Sequence, residues 1–131
     1  MVWLIDGDAT LTPTVSVRLA TGHTVGHQVV DIVSPCGAAA VWLGDVVHHA
    51  VQLRHPTLCL RDEHDSTASI KTRCTLLEEV AQTDALLLSP HLPFPGAGRV
   101  VKLAERGAFE YHAIVHEQSA ERDGATMGVA I

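Results

Sequence analysis

Short apolar runs separated by turn signals fill the first 43 residues, and this pattern is the strongest constraint on the fold. Asp-Gly, Thr-Gly and Ser-Pro pairs stand between the runs. TVSVRL at 14–19 alternates apolar and polar residues, which is the period of a half-buried strand, and QVVDIV at 28–33 is rich in β-branched residues. We predict strands over Val2–Ile5, Thr14–Leu19, Gln28–Val33 and Ala38–Leu43. Their short connections indicate a β-meander.

One helix stands out in the rest of the chain. DVVHHAVQL at 45–53 fits either a helical turn or a structured loop, and the charge cluster in 54–65 is typical of an exposed loop. We predict a helix over Ala68–Gln82 that is capped by Ser66 or Thr67. Its apolar face contains Ile70, Leu76, Leu77 and Val80, while Lys71, Arg73, Glu78 and Glu79 lie elsewhere on the helix.

The sequence after the helix again predicts β-structure. We predict a strand over Ala85–Leu88, a stiff Pro/Gly loop over 89–98, and a hairpin formed by Arg99–Leu103 and Phe109–Val115. From Glu117 the sequence is polar and predicts a frayed tail. The order of elements predicts an α/β (α+β) fold of one domain, in which a β-meander precedes a helix, a strand and a terminal hairpin.

Composition excludes several classes of partner. The 131 residues include nine Lys and Arg against fifteen Asp and Glu, which gives a formal net charge of −6. Nucleic acids and anionic membranes require a basic face, so neither is an expected partner. We expect no membrane span and no secretory signal, because no apolar run is long enough and the first residues lack a basic region. Three scattered cysteines without a CxxC spacing predict reduced thiols and a cytoplasmic location.

Histidine is frequent, with nine residues in 131, and its placement points to a site. Three loops that follow predicted strands carry His23, Asp45 and His91, an arrangement typical of metal or catalytic sites on a rigid scaffold. Each residue also fits a plainer role: a solvent-exposed turn residue, the N-cap of a helix over 46–53, and part of a proline-rich connector, respectively. Of the adjacent His48 and His49, we expect one to line a pocket and the other to lie on the surface.

Three motifs, taken together, resemble the metallo-β-lactamase superfamily. They are GHTVGHQ at 22–28, GDVVHHAVQLRHP at 44–56 and HLPFPGAGRV at 91–100, in that order. The likeness is to the branch of methyl parathion hydrolase-like and lactonase-like metallo-hydrolases, whose loop reads GHTPGHQ where this chain has Val25. It extends from about Val2 to Val115. The resemblance therefore implies that residues 1–116 are the C-terminal half of such a domain, followed by a polar, disordered tail at 117–131.

The resemblance implies one half of an αββα sandwich around a dinuclear metal site. By position in the motifs, His23 binds one metal, Asp45 bridges both, and His91 binds the other. One or two zinc ions suit this set, and iron, manganese or cobalt are also compatible. The implied reaction is hydrolysis of an ester, lactone, amide or phosphotriester in a small molecule, with Asp45 and a metal-bound water as the catalytic groups.

One motif of the family is absent. HxHxDH supplies the remaining metal ligands in such enzymes, and no H-x-H occurs anywhere in this sequence. The resemblance thus implies a truncated domain with an incomplete site, and we expect the isolated chain to have negligible activity. Half a sandwich also leaves an apolar face exposed, which favours association with another half.

Two other interpretations are open at this point. The chain fits a non-catalytic module that buries its apolar face in a homodimer or against a partner, with a single structural metal or none. It also fits an independent small α/β domain with accidental motif similarity, in which His23, Asp45 and His91 would lie far apart. The sequence assigns no substrate, and it assigns no role to His48, His49, Phe94 or Arg99.

Overall fold

A computed structural model describes residues 2–36, 39–105 and 107–114. These residues form seven strands: β1 (Ala9–Thr12), β2 (Val15–Leu19), β3 (Gln28–Val33), β4 (Ala39–Trp42), β5 (Leu86–Leu88), β6 (Ala97–Lys102) and β7 (Phe109–Ala113). The helices are α1 (Val51–Arg54) and α2 (Ser66–Thr83), and a short 3-10 turn covers Gly44–Val46. The predicted α/β fold is confirmed, with its meander, helix, strand and final hairpin in the expected order.

The strands form one sheet in chain order, and a single parallel pair determines where the loops meet. Neighbouring strands are antiparallel except β4 and β5, which run parallel with Trp42 opposite Leu88. A parallel pair requires a crossover, and here the connection contains α1 and α2. The segments that follow β4 and β5 therefore leave the same edge of the sheet. The loop between β2 and β3 also lies at this edge, because Val30 of β3 pairs with Trp42.

The hydrophobic core lies between α2 and one face of the sheet. Its most buried members are Val29, Leu43, Val47, Leu53, Leu77, Val80 and Leu87, each no more than 1% exposed. Successive strand residues point to opposite faces, so Trp42 and Val101 lie on the face away from the helix. They are 41% and 48% exposed, respectively. An open apolar surface on this face agrees with the expectation for half of a sandwich.

Helix α2 differs from its prediction at the cap and on its buried face. The N-cap is Asp65, whose carboxylate accepts a hydrogen bond from the Ala68 backbone N at 3.0 Å, so the prediction of Ser66 or Thr67 is wrong. Asp is an equally good cap, and its charge is favourable at a helix N-terminus. Arg73, which was expected off the apolar face, is fully buried. It belongs to that face because it lies three, four and seven residues before the buried Leu76, Leu77 and Val80.

Two further predictions are corrected within the described residues. Val2–Ile5 is not a strand: it pairs with no other strand there, and Val2, Trp3 and Leu4 are each more than 80% exposed. An apolar run without a neighbouring strand leaves its backbone unpaired, so local pattern alone does not make it β-structure. The segment 54–65 is only partly exposed, since Pro56 is buried. The predicted tail at 117–131 lies outside the described residues.

None of the helices in the described part of the chain is long and apolar enough to cross a bilayer.

Candidate metal centre

The loop between β2 and β3 carries His23 and packs tightly against the start of α2. Gly22 has φ of +136°, and a Cβ atom there would overlap the backbone of Ser69. Only glycine permits both this conformation and this close approach. Thr72 Oγ1 also donates to the Thr21 carbonyl at 2.7 Å, which fastens the loop to the helix. Gly22, the first glycine of the GHTVGH motif, therefore fixes the position of His23 relative to α2.

His27, the second histidine of this motif, holds the Asp45 backbone in place. Its Nε2 accepts a hydrogen bond from the Asp45 N–H at 2.9 Å, and its Nδ1 lies 3.2 Å from the Ala20 carbonyl oxygen. A backbone N–H only donates and a carbonyl only accepts, so His27 is a neutral imidazole with its proton on Nδ1. Burial lowers the pKa of His27, in agreement with the neutral form. Since both ring nitrogens are occupied, His27 is a positioning residue and not a ligand.

Asp45 lies in the 3-10 turn that follows β4. Gly44 precedes it with φ of +54°, and a Cβ at this position would come within 2.8 Å of His27 Nε2. The alternative role as a helix N-cap is wrong, because α1 begins after Ala50 and has no side-chain cap. The Asp45 carboxylate is half-exposed. Its placement depends on the Gly44 turn and on His27.

Three imidazoles surround the Asp45 carboxylate. His91 Nε2 lies 2.8 Å from Oδ1 and His48 Nε2 lies 3.8 Å from the same oxygen, while His23 Nε2 lies 3.6 Å from Oδ2. The hydrogen bond from His91 is the main reason why the pKa of Asp45 is lowered. The structure thus brings His23, Asp45 and His91 together, contrary to the accidental-similarity interpretation, and it adds His48.

His48 is one of the four residues to which the sequence assigned no role. Its ring packs against those of His23 and His91, with centroids 4.9 Å away in each case. Gln52 Oε1 accepts hydrogen bonds from the backbone N–H groups of His48 and His49, which fixes the turn before α1. His49 is exposed, so only one of the two adjacent histidines faces the cluster. The signal that could identify it is the short distance along the chain from Asp45.

Phe94 and Arg99 occupy different surroundings. Phe94 is almost fully exposed in the loop between β5 and β6. Arg99 pairs with the Asp84 carboxylate at 2.9 Å, at the C-terminal end of α2. Since β5 begins after Asp84 and ends at the site, Arg99 lies at the opposite edge of the sheet. It therefore takes no part in the cluster.

The donor set fits a divalent transition metal. His23, Asp45 and His48 each offer one ligand atom, and these atoms lie within 4.8 Å of one another. Neutral imidazoles and a carboxylate are ligands that zinc, iron, manganese and cobalt accept. Burial lowers the pKa of His48, which favours the neutral form that a metal requires. The cluster can therefore hold a metal ion.

Comparison with known proteins finds matches among solved structures. No protein-family model and no curated protein matches the chain. AidC, a dizinc quorum-quenching lactonase solved with the product N-hexnoyl-L-homoserine, is 27% identical over 86% of this chain and 37% of its own, with a TM-score of 0.77. The hydrolase AbOPH of the β-lactamase superfamily is 27% identical over 81% of this chain and 36% of its own, with a TM-score of 0.73.

A third structure extends the likeness at the level of the fold. A probable metal-dependent hydrolase from Staphylococcus aureus is 18% identical over 87% of this chain and 41% of its own, with a TM-score of 0.68. The fold matches half of a metallo-β-lactamase fold. The chain spans little more than a third of the length of AidC and AbOPH.

Proposed function

We propose that this chain provides part of the active site of a metal-dependent hydrolase. The observation that carries the proposal is the Asp45 carboxylate, which lies within 4 Å of imidazole nitrogens from three separate segments. The substrate is a small molecule with an ester, lactone, amide or phosphotriester bond. The likeness to AidC favours a lactone among these.

The ligands divide between the two oxygens of Asp45. Oδ2 faces His23, whereas Oδ1 faces His48 and His91. This division supports Asp45 as the bridge between two metal positions, with His23 and His91 on different ions. We propose zinc first, with iron, manganese or cobalt as alternatives. A metal held here supplies Lewis acidity, which activates water and stabilises negative charge on the substrate oxygen.

Further ligands are proposed to come from a protein segment that this chain does not contain. The sequence has no H-x-H motif, and the chain covers only 37% of the dizinc lactonase AidC. Metal affinity depends on the number and geometry of ligands. The 131-residue chain alone is therefore expected to bind metal but to hydrolyse substrates negligibly, and the other half of the site restores activity.

Zinc binding is the direct test. We expect the purified chain to retain zinc after gel filtration, to lose it on dialysis against a chelator, and to retain at least tenfold less after Asp45→Ala or His91→Ala, by elemental analysis. His112→Ala is the matched control, because His112 is an exposed histidine of β7. A wild-type chain that retains no metal, or an Asp45→Ala chain that retains as much as wild type, contradicts the proposal.

Activity is tested separately with a panel of lactones, esters and phosphotriesters. We expect no turnover above the metal-free blank from the isolated chain. Turnover that disappears on chelation and on His91→Ala would show that these residues suffice, and the need for a second half would then be wrong.

A non-catalytic half-domain is the second candidate, supported by the open apolar face of the sheet. Trp42 and Val101 lie on this face and are about half exposed. Burial of such a face in a homodimer or against a partner half removes it from water. Light scattering that shows a dimer independent of metal, and a monomer after Trp42→Ser with Val101→Ser, would favour this candidate.

A reducing compartment, such as the cytoplasm, also stays a proposal. Cys59 and Cys74 are half-buried, and neither forms a disulfide. Burial raises the pKa of the Cys74 thiol, which keeps it in the less reactive protonated form. These properties agree with structural thiols and support a reducing compartment.

A further inference from the structure

Glu63 lies buried beside the cluster with one oxygen unused. Its side chain is 0% exposed, although it belongs to a segment whose composition suggested an exposed loop. Oε1 lies 3.2 Å from Arg73 Nη2 and accepts its hydrogen bond. Oε2 has no hydrogen-bond partner among the described residues, and it lies 3.6 Å from His23 Nδ1. That nitrogen is also buried and without a partner there.

Backbone hydrogen bonds fix this juxtaposition. The His64 N–H donates to the His23 carbonyl at 3.1 Å, and the Asp65 N–H donates to the Gly22 carbonyl at 2.9 Å. The chain around Glu63 therefore runs directly beside the GHTVGH loop. These two main-chain hydrogen bonds place the Glu63 carboxylate beside His23.

Arg73 fixes the other side of the carboxylate. All five of its N–H donors are used, by Glu63 Oε1, Ser69 Oγ and the carbonyl oxygens of Val46, Pro56 and Leu58. The contact to Val46 holds the turn that carries Asp45. One buried guanidinium thus balances the charge of Glu63 and links it to the backbone of the Asp45 turn.

We propose that Glu63 is a positioning residue for His23, an inference that rests on the proposed metal centre. A carboxylate that faces Nδ1 keeps the imidazole proton on that nitrogen and leaves the lone pair of Nε2 free. Nε2 faces Asp45 at the same 3.6 Å, but the Asp45 carboxylate is 42% exposed and screened by water, whereas that of Glu63 is 0% exposed and acts more strongly on the ring. Glu63 therefore selects the tautomer and ring orientation in which His23 binds metal. Arg73 holds Glu63 in this role.

The competing explanation is that Glu63 serves only as the counter-ion of Arg73. In that case Glu63→Gln lowers stability but leaves the tautomer and metal affinity of His23 unchanged. Under our proposal the Gln oxygen accepts from Arg73, so its NH₂ group faces Nδ1 and favours a proton on Nε2. The two explanations predict different imidazole states for the same variant.

The first measurement is ¹⁵N NMR of the histidine rings in the metal-free chain at about pH 8, where imidazoles are mostly neutral. We expect His23 of the wild-type chain to carry its proton on Nδ1, and the Glu63→Gln chain to shift it to Nε2. Glu79→Gln is the matched control, because Glu79 also pairs with an arginine but lies away from the cluster. A wild-type His23 with its proton on Nε2 overturns the proposal, as does an unchanged tautomer in Glu63→Gln.

The second measurement is zinc affinity by competition with a chelating dye. Loss of a partner to a ligating histidine typically weakens binding by about 10- to 100-fold, and we expect this for Glu63→Gln. Glu79→Gln should bind zinc as tightly as wild type. Glu63→Asp, which keeps the charge, should bind zinc more tightly than Glu63→Gln. Equal affinity in wild type and folded Glu63→Gln overturns the proposal.

The two measurements separate this inference from the proposed function. If the wild-type chain binds no zinc, the metal centre fails, whereas the tautomer of the metal-free chain still decides whether Glu63 orients His23. If Glu63→Gln does not fold, by urea denaturation, the wild-type tautomer and the Glu63→Asp affinity decide the same question.

Discussion

Arg73 on α2 and Arg18, which pairs with Glu79 of the same helix, both make several hydrogen bonds, but in opposite surroundings. Arg18 on β2 contacts the carboxylates of Asp31 and Glu79, with four N···O distances from 2.5 to 3.1 Å. Its side chain is 36% exposed, whereas that of Arg73 is 0% exposed. Arg18 thus has two acidic partners at the surface, and Arg73 has one acidic partner and three backbone carbonyls in the interior.

The difference shows that the importance of an ion pair depends on what its removal leaves behind. If Arg18 is removed, water can reach its partners. If Arg73 is removed, Glu63 and the carbonyl groups of Val46 and Pro56 lose the donor that Arg73 provides, and an uncompensated buried charge is costly. The stronger contribution to stability is therefore expected from the arginine that also supports the candidate metal centre.

The largest effect is expected from Arg73→Met, which keeps much of the volume but removes every donor. We expect the free energy of unfolding to fall by about 3–5 kcal/mol, as is usual when one partner of a buried pair is lost. Urea denaturation followed by circular dichroism measures this change. A loss no greater than that of Arg18→Gln would contradict the comparison between the two arginines.

Gly22→Ala tests the close contact between the His23 loop and α2. A Cβ here overlaps the Ser69 backbone at a φ of +136°, so we expect a loss of about 1–3 kcal/mol in the free energy of unfolding. Gly26→Ala is the matched control in the same loop, since a Cβ at residue 26 meets nothing within 4 Å. Equal thermal midpoints for the two variants would show that the loop accommodates the Cβ atom at residue 22 without loss of stability.

Arg18→Gln is expected to cost less than either change. Exposed ion pairs contribute roughly 0.2–1 kcal/mol, and solvent screens this network. The loss, measured as the difference in urea midpoint, should shrink as sodium chloride is raised, because added salt screens surface charges. A loss that does not depend on salt would indicate that packing of the Arg18 side chain matters more than its charge.

Lys102→Gln is expected to have the smallest effect. Lys102 contacts the Glu78 carboxylate at 2.7 Å, and both groups lie at the surface. That contact lowers the pKa of Glu78 but adds little in water. We expect an unchanged urea midpoint, within error, at neutral pH. A clear shift would mean that a surface pair can rival the Arg18 network.

Much of the fold could be predicted from local sequence because its elements are locally encoded. Gln28–Val33 was predicted with the bounds that the structure gives, and the final hairpin was predicted near its place. The strand predicted over Val2–Ile5 was wrong because a strand requires pairing with a neighbouring strand. A local sequence pattern does not show whether that neighbour is present. The placement of Arg73 off the apolar face was wrong because its charge was given more weight than its position. Its spacing from the buried leucines of α2 places it on the buried face of the helix.

The site was predictable where motif and strand end coincide, as for His23, Asp45 and His91. Whether these residues bind metal stays a prediction. His48 and Glu63 were not assigned, because their places depend on how separate loops pack. His27 was not assigned a role because its partner, the Asp45 N–H, is 18 residues away. A hydrogen bond between a ring nitrogen and a distant backbone N–H produces no residue pattern that the sequence would show.

The parallel pairing of β4 and β5 affects the order of folding. Asp45 and His91 meet at 2.8 Å although 46 positions separate them, so their contact requires closure of a long loop. Closure entropy makes such contacts slow to form, whereas β1–β4 can pair through short connections. Since the His91 loop reaches the cluster only after β5 docks, we expect the proposed metal to bind after most of folding. A bound ion should then slow unfolding and leave the folding rate nearly unchanged.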